Sequence, residues 1–296
     1  SMAFVMFSSM KSFSQEIATW ADWKKAAVTY TFDDAPNEWQ SHNWAATEMN
    51  KYGFPGTFYV VTNWGNFSSY QTLANNGHEI GSHTVSHSAN SGELATSQNN
   101  INNTISGQKC LTIAYPECKV IANTLQYYIG ARICGGQTNS KSPNDYSRLD
   151  SYICGNQGKN STTAITDVFK GAAGSGGWAV LLIHGIQGMQ ANGSYSPLAQ
   201  DAFKGSLDFL NQNKSTYWVA TFRDAILYAK ERDNASFVKT AESNTEISYS
   251  LTDNLEDGVY NYPLSLKVPV PDGWGELVVA QNGEEIEHSV SGDAVY

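Results

Sequence analysis

The sequence predicts an α/β protein: a distorted (β/α)7-8 barrel followed by a small all-β C-terminal module. One observation predicts the barrel and another predicts the β module. Apolar and β-branched runs alternate with helical stretches over residues 25–231, and strands separated by helices form parallel sheets that are covered on both faces. After residue 234 the helical period disappears, and short strands with Gly-containing turns predict the β module. An open, doubly wound sheet is the structural alternative, although no Gly-rich phosphate loop follows the first strand.

Each predicted barrel strand is followed by a helix or a polar loop. Strands are predicted at residues 25–33, 56–61, 78–83, 111–115, 131–134, 178–184 and 217–221. Helices are predicted at 36–52, 68–75, 92–105, 119–129, 162–172, 198–212 and 223–231, with a long loop at 135–160. Further strands are predicted at 246–251, 262–270 and 276–280, and Asn282-Gly283 is typical of a hairpin turn. We therefore predict a barrel domain at residues 1–234 and a small β-sandwich-like module at 235–296, which we expect to be truncated.

The composition disfavours several classes of binding partner. The chain has 296 residues and a net charge of −10, and only 16% of its residues are charged while 12% are aromatic. An acidic, sparsely charged surface disfavours nucleic acids and anionic membranes. The sequence contains no run of about 18 apolar residues, so we expect no transmembrane helix. Abundant Trp, Tyr and amide side chains suit a sugar polymer, and we expect a secreted or extracytoplasmic monomer.

The four cysteines restrict the disulfides that can form. Cys110 and Cys118 flank the predicted strand 111–115 and would lie at its opposite ends. Five extended residues span roughly 17 Å, whereas a disulfide needs Cα atoms within about 7 Å. Cys118, Cys134 and Cys154 all belong near the carboxyl ends of strands. We therefore predict that any disulfide joins two of these three, with Cys110 free.

Ionisable residues follow several of the predicted strands. Strand 25–33 leads into Asp33-Asp34, and strand 178–184 ends in His184. His83 and His87 follow the third strand at a spacing of four, which places both imidazoles on one face if a helical turn follows. Functional residues of parallel barrels gather at the carboxyl ends of the strands. Two His and one Asp would form a metal site with an open position for water, as in catalytic zinc centres.

Each of these features has a structural alternative. Asp-Asp-Ala-Pro is good turn chemistry, so Asp33 and Asp34 are consistent with a solvated turn. Side chains alternate along a strand, so two adjacent carboxylates cannot both face a core. His83 and His87 are consistent with a capped turn, and His184 with a buried histidine bonded to a backbone carbonyl. The combination of all these groups at strand ends favours a functional site.

Three motifs resemble those of the polysaccharide deacetylases, the NodB-homology domain of carbohydrate esterase family 4. They correspond to the first, second and fifth family motifs, in the right order, and the resemblance covers residues 24–232. The motifs are Thr31-Phe32-Asp33-Asp34, Gly77-His78-Glu79-Ile80-Gly81-Ser82-His83-Thr84-Val85-Ser86-His87 and Leu181-Leu182-Ile183-His184.

The resemblance implies a ligand set and a base. Asp34, His83 and His87 would bind a divalent metal, commonly zinc, with cobalt, manganese or nickel as alternatives. Asp33 would be the base that takes a proton from the metal-activated water, because the metal lowers the pKa of that water toward ~7.

The resemblance also implies an oxyanion donor and an acid. The backbone N–H of Glu117, after Pro116, would donate to the oxyanion. His184 would be the acid that protonates the leaving amine or alkoxide.

Apart from the resemblance, Trp39, Trp64 and Tyr115 are predicted substrate contacts because aromatic rings stack on sugars, and Pro116 is predicted beside them. Trp44 is a further candidate that is equally consistent with the core.

The chain departs from the family in its third and fourth motifs. Ala114 stands where the family usually has an Arg that orients the catalytic Asp, and Glu117 replaces a Tyr. Arg132 or Arg148 are the alternatives for the missing Arg. The fourth motif, two Asp and a Trp, is not clearly present, although Asp145 and Asp150 lie in the right region.

The expected function is removal of acetyl groups from a carbohydrate polymer. The partner would be an acetylated polysaccharide or oligosaccharide, with N-acetyl groups of chitin or chito-oligosaccharide as the first choice. O-deacetylation of acetylxylan is the alternative enzyme. A catalytically weak carbohydrate-binding relative is the alternative from another functional class, because the orienting Arg is missing.

Overall fold

One sheet of eight parallel strands contains most of the core. The computed structural model describes residues 14–271 and 273–296. Its strands are β1 Glu16–Ile17, β2 Ala26–Ala35, β3 Thr57–Val60, β4 Glu79–Ser82, β5 Thr112–Ala114, β6 Gly130–Arg132, β7 Tyr152–Ile153, β8 Trp178–Ile183, β9 Tyr217–Val219, β10 Ser236–Glu242, β11 Ile247–Thr252, β12 Leu266–Pro269, β13 Ala280–Gln281, β14 Glu284–Glu285, β15 Val290–Ser291 and β16 Ala294–Val295. Its α-helices are α1 Trp39–Asn50, α2 Gln71–Asn75, α3 Leu94–Thr104, α4 Thr162–Ser175, α5 Gln200–Gln212 and α6 Phe222–Asn234.

The parallel sheet curls toward a closed barrel. Its order is β6-β5-β4-β3-β2-β8-β7, and β9 pairs with the amino-terminal half of β2. Leu149, three residues before β7, forms a parallel bridge with Arg132 of β6, so the two edges of the sheet approach each other there. The predicted distorted β/α barrel is confirmed. All carboxyl ends of these strands open on one side, as parallel pairing requires.

The central strand is β2, which is also the longest of the parallel strands. Nine of its ten residues are buried, and the exception is Asp34, which is partly exposed. Burial on both faces explains why its sequence reads as a nearly continuous apolar and β-branched run, as is typical of parallel sheets. β3, β8 and β9 all pair with it, so its position is set by three neighbours.

Two predictions between β5 and β8 are wrong. The helix predicted at residues 119–129 is only a short 3₁₀ turn at Thr124–Gln126, preceded by Asn123 in the left-handed conformation with φ 61°. Val120, Ile121 and Asn123 have low helix propensity, which explains the failure. The loop predicted at 135–160 contains β7, whose two residues are too few to give a periodic signal.

The C-terminal part forms small antiparallel sheets. One has the order β1-β12-β16-β15, so a strand near the start of the described chain joins it. β10 and β11 form a hairpin that the sequence predicted only at its second strand. The strand predicted at 276–280 is wrong, because the structure has a two-residue strand at β13 instead. The turn after β13 is the predicted one, with φ 53° at Asn282 and 86° at Gly283.

The predicted domain boundary at residue 234 coincides with the last residue of α6 and stays a prediction. Residues 1–13 lie outside the described chain. Aromatic residues of the C-terminal part pack on the barrel, for example Tyr262 against Trp218 and Tyr228. Among the described residues, no helix has both the length and the apolar character needed to cross a bilayer.

A disulfide joins Cys118 to Cys134, with Cα atoms 5.8 Å apart. Cys110 and Cys154 are buried free thiols. The prediction from strand geometry, a bridge between two of Cys118, Cys134 and Cys154 with Cys110 free, is confirmed. The bridge links the turn after β5 to the end of β6, next to the carboxyl side of the sheet.

We predict that His78 makes the stability of the fold depend on pH. Its Nδ1 accepts from the Gly56 N–H at 2.9 Å and its Nε2 lies 3.1 Å from Asn50 Oδ1, so the neutral ring satisfies both partners. Burial lowers the pKa of His78 from 6.5 to about 4. Between pH ~6.5 and ~4, His78 is therefore protonated in the unfolded chain but neutral in the native state. The free energy of unfolding consequently falls as the pH decreases through this range.

Urea unfolding of the wild type and of His78→Gln measures this contribution. The variant should be less stable at pH 7.5, because it loses the ring nitrogen that accepts from the buried Gly56 N–H. At pH 5 the gap should shrink by on the order of 1–2 kcal/mol, since only the wild type has this titrating group. A gap that stays constant from pH 7.5 to pH 5 would contradict the assignment.

Candidate metal and catalytic site

Three strand ends bring the predicted ionisable groups together. The Nε2 atoms of His83 and His87 lie 3.7 and 3.6 Å from Asp34 Oδ1. Asp33 Oδ2 lies 3.8 Å from His83 Nε2. His184 Nε2, from the end of β8, lies 3.9 Å from Asp34 Oδ2. The five residues predicted from β2, β4 and β8 therefore occupy one site on the carboxyl side of the sheet.

A β-bulge turns the two adjacent carboxylates toward the same place. In the β2–β3 pairing, Phe32 lies opposite Phe58 and Ala35 opposite Val60, so three steps on β2 correspond to two on β3. The extra residue falls at Asp33-Asp34, and Asp34 takes the left-handed conformation with φ 66°. A bulge sets two residues against one and re-aims a side chain. This is why both carboxylates reach His83, although an unbroken strand would separate them.

The turn after β4 presents His83 and His87 without a helix. Thr84 and His87 have φ values of 67° and 59°, so the predicted helical turn is wrong. The carboxylate of Glu93 holds this turn by accepting from the N–H groups of Val85 and Ser86, each at 2.9 Å. Glu93 lies outside the three motifs, and its role was not predicted from the sequence. Left-handed residues other than glycine are uncommon and concentrate at functional sites.

The tautomer of His83 suits a metal ligand. His83 is 1% exposed, and its Nδ1 donates to the Ala114 carbonyl oxygen at 2.7 Å. The Nε2 lone pair therefore faces Asp34. A second hydrogen bond from the far ring nitrogen is the usual way in which a ligating histidine is oriented. Burial lowers the pKa of His83 to about 4 and also lowers the pKa of the partly exposed His87.

Arg132 takes the place of the arginine that is missing at Ala114. It comes from β6 and is 1% exposed, and its guanidinium donates to Asp33 Oδ2 at 2.5 Å and to Thr31 Oγ1 at 2.7 Å. The Tyr59 ring lies 5.4 Å below the guanidinium carbon. Arg148, the other alternative, has a side chain that is 58% exposed and faces Asp145. Of the two arginines, Arg132 is therefore the one that supports Asp33.

The two carboxylates have opposite pKa shifts. Burial raises the pKa of Asp33, but the charge of Arg132 and the neighbouring histidines outweigh it, and the pKa falls to about 2. Burial and then the charges of Asp33 and Glu38 raise the pKa of Asp34 to about 7. Asp33 is thus an anion at neutral pH, whereas Asp34 is only partly ionised near pH 7, and a cation beside it would favour its charged form.

The residues present fit a divalent metal. The ligand atoms of Asp34, His83 and His87 all lie within 4.8 Å of one another. Asp34 Oδ1 is buried and has no hydrogen-bond partner among the described residues. One carboxylate and two imidazoles form a donor set that zinc and similar transition metals accept. A cation at this point would compensate the charge of Asp34.

Glu117 and His184 both follow these groups in the chain, after β5 and β8 respectively. The His184 side chain is 12% exposed, and burial lowers its pKa. Its Nδ1 has no hydrogen-bond partner within the described part of the chain. Glu117 adopts φ 51° in the turn after β5, and its exposed side chain pairs with Lys119. The disulfide at Cys118 ties the same turn to β6.

The four predicted substrate contacts differ in accessibility. Tyr115 is 1% exposed and its hydroxyl donates to the Ser147 carbonyl, so it is a core residue and cannot stack on a sugar. Pro116 is also buried. Trp39 is partly buried against Tyr70. Trp64 is partly exposed, and its ring lies 5.2 Å from that of His87.

We predict that Arg132→Met destabilises the fold by about 3–5 kcal/mol, because it leaves the buried Asp33 charge unpaired. Arg148→Met is the matched control and should change stability by less than about 0.5 kcal/mol, since Arg148 is exposed. Adding Asp33→Asn to Arg132→Met should restore part of the loss. Urea unfolding at pH 7.5 measures all three proteins. Equal losses for the two arginine variants would show that Arg132 does not compensate Asp33.

Comparison with known proteins shows which sequences and structures this chain is similar to. Residues 21–128 match the family model described as polysaccharide deacetylase. A protein from a Bacillus species described as gellan lyase is 31% identical over 92% of this chain, which spans 12% of that protein's length.

Two solved structures share part of the fold. One is the Xyl-CE4 domain of a multidomain xylanase from the hindgut metagenome of Trinervitermes trinervoides. It is 20% identical, with 67% of this chain and 88% of that chain covered and a TM-score of 0.45. The other is the peptidoglycan deacetylase PdaC from Bacillus subtilis, 20% identical, with 70% and 93% covered and a TM-score of 0.44. The family match covers residues 21–128, the part of the barrel that contains Asp33, Asp34, His83 and His87, and it supports the resemblance to the polysaccharide deacetylases that the motifs predicted.

Proposed function

We propose that the domain is a metal-dependent hydrolase that removes acetyl groups from a carbohydrate polymer. The observation that carries the proposal is the convergence of Asp34, His83 and His87 within 4.8 Å, with the anionic Asp33 and His184 beside them. In the proposed role, these three residues hold a divalent metal, zinc first. When bound, the metal lowers the pKa of a water molecule and polarises the acetyl carbonyl.

Asp33 is suited to accept the proton of the attacking water. Its Oδ2 is engaged by Arg132, while its Oδ1 is buried and has no hydrogen-bond partner among the described residues. Arg132 therefore fixes one oxygen and leaves the other for the water. The same ion pair keeps Asp33 ionised at neutral pH, which a general base requires.

Glu117 is proposed to act on the carbonyl oxygen of the acetyl group, and His184 on the leaving atom of the sugar. The backbone N–H of Glu117 would donate to the carbonyl oxygen as negative charge develops there. His184 would give a proton to the departing nitrogen or oxygen of the sugar. Trp64, beside His87, is the predicted aromatic contact whose exposure and position suit a sugar ring.

N-acetyl groups of chitin or chito-oligosaccharide are the proposed substrates, and acetylxylan is the alternative. The net charge of −10 favours an uncharged glycan over an anionic one. Gellan belongs in the test panel because a relative is described as gellan lyase. We propose a secreted location, in keeping with a polymer substrate.

We predict that the protein releases acetate from acetylated glycans and that this release depends on a divalent metal. Purified protein with added Zn²⁺ should release acetate from acetylated chito-oligosaccharide, acetylxylan or acetylated gellan, and a chelator should abolish the release, because Asp34 needs a cation beside it. An enzymatic acetate assay measures this, and size-exclusion chromatography of the polymers detects any cleavage of the chain. Chelator-insensitive release, or polymer cleavage without acetate, would contradict the proposal. Sugar binding without acetate release would favour the carbohydrate-binding alternative.

Turnover and zinc affinity of variants should distinguish the proposed base from the proposed metal ligands. Asp33→Asn should keep zinc and lose about 10²- to 10⁴-fold in turnover, the range for removing a general base. His87→Ala should lower zinc affinity, measured by calorimetric titration, and His288→Ala is the control because His288 is a partly exposed histidine of the C-terminal part, outside the site. Near-normal turnover of Asp33→Asn would show that Asp33 is not the base.

A further inference from the structure

The first turns of α1 present three buried polar side chains to the loop that follows β8. Glu38 precedes α1, and Ser41 and His42 lie within it, three and four positions further on, so all three share one helix face. Glu38 is 2% exposed, and Ser41 and His42 are fully buried. Buried polar groups require hydrogen-bond partners. We refer to Glu38, Ser41 and His42 as the α1 clasp.

Each residue of the clasp binds the backbone of the segment 184–191. His42 Nε2 lies 3.2 Å from the His184 carbonyl oxygen. Ser41 Oγ accepts from the Ile186 N–H at 2.9 Å. Glu38 Oε2 accepts from the Ala191 N–H at 3.1 Å. Three hydrogen bonds from one helix face thus fix the segment that begins with His184.

The loop lies directly against the clasp at Gly185. A Cβ atom at this position would meet Glu38 Oε2 at 2.8 Å and the Cβ of Gln190 at 2.5 Å. Any side chain at residue 185 would therefore push the loop away from α1. The absence of a side chain next to His184 allows this close contact.

The tautomer of His42 is determined by its two partners. The His184 carbonyl oxygen can only accept, so His42 Nε2 must carry the hydrogen. His42 Nδ1 lies 2.8 Å from the Tyr70 hydroxyl and therefore accepts from it. Burial lowers the pKa of His42 to about 3, against hydrogen bonding to the His184 and Asp33 backbones, so the ring is neutral. Tyr70, His42 and the His184 carbonyl form one directed chain of hydrogen bonds.

The His184 side chain has no comparable support of its own. Its Nδ1 is buried without a hydrogen-bond partner among the described residues, and its ring contacts Tyr195 edge-on at a centroid distance of 5.2 Å. The orientation of the ring therefore depends on the backbone to which it is attached.

We propose that the α1 clasp, with Tyr70 behind it, holds His184 by its backbone in the position from which it protonates the leaving group. His42 is a positioning residue in this inference, which rests on the proposed deacetylase function. His42 and Tyr70 do not belong to the Asp34, His83 and His87 set, so replacing them should affect the acid and not metal binding. Glu38 differs, because its charge also raises the pKa of Asp34.

The test uses a graded set of variants. His42→Leu removes the donor to the His184 carbonyl, whereas His42→Gln keeps an N–H at the place of Nε2. Tyr70→Phe removes the bond that sets the tautomer. His78→Leu is the matched control, because His78 is also a buried histidine, on the amino side of the sheet and away from the site.

Two substrates with different leaving groups isolate the contribution of the acid. One is 4-nitrophenyl acetate, whose phenolate departs without a proton. The other is the better wild-type substrate of acetylated chito-oligosaccharide and acetylxylan, whose amine or alkoxide needs one. His42→Leu should lower kcat about 30- to 100-fold on the glycan and less than about threefold on 4-nitrophenyl acetate. His42→Gln should recover most of the loss, and Tyr70→Phe should lie between them.

Zinc content is measured in parallel and should be the same in all variants. His78→Leu should leave the ratio of the two rates unchanged, because loss of folded protein lowers both equally. A proportional loss on both substrates in His42→Leu would overturn the inference and indicate a merely structural role. Failure of His42→Gln to recover activity on the glycan would also overturn it.

A measurement that needs no activity keeps the inference separate from the proposed function. Amide hydrogen exchange of the segment 184–191 should accelerate about tenfold or more in His42→Leu and stay unchanged in His78→Leu, because the first variant frees the loop locally. Unchanged exchange in His42→Leu would overturn the clasp even if the wild type deacetylates glycans. A wild type inactive on both glycans, with faster exchange in His42→Leu, would refute the deacetylase proposal and leave the clasp as the anchor of this loop.

Discussion

The ion pair between Arg132 and Asp33 is the interaction on which the rest of the site depends. Two adjacent carboxylates in a buried position repel each other, and burial alone would protonate both. The Arg132 guanidinium lies 2.5 Å from Asp33 Oδ2 and compensates its charge, so Asp33 stays ionised. Burial and the charge of Asp33 raise the pKa of Asp34 to about 7, so a bound cation would stabilise its ionised form. One arginine on β6 therefore assigns different chemical roles to neighbouring carboxylates on β2.

Backbone geometry is as important as charge in this assignment. The bulge at Asp33-Asp34 directs both side chains to His83, and left-handed residues recur in the turns after β4 and β5. Such conformations are costly for residues with a Cβ atom. Here they are held by specific partners: the Glu93 carboxylate after β4, and the disulfide at Cys118 after β5. The site is thus built from irregular loops that the regular sheet positions.

The barrel and the convergence of Asp34, His83 and His87 could be predicted because both rest on local sequence signals. Alternating strands and helices indicate a parallel sheet, and a parallel sheet brings the strand ends at Asp34 and His83 together. The partner of Asp33 could only be narrowed to Arg132 or Arg148, because the choice depends on which side chain points inward. The bulge escaped prediction since strand periodicity assumes an unbroken register. Tyr115 was assigned to the substrate because it is aromatic, which says nothing about burial.

The central claim is that Asp34 binds the metal while Asp33 remains paired with Arg132. Crystals of the zinc-loaded protein, with anomalous scattering measured at the zinc edge, test this most directly. We expect one zinc ion bound by Asp34, His83 and His87, with Asp33 Oδ2 still bonded to the Arg132 guanidinium and Asp33 outside the coordination shell. A zinc ion bound by both carboxylates, with Arg132 turned away, would contradict the account.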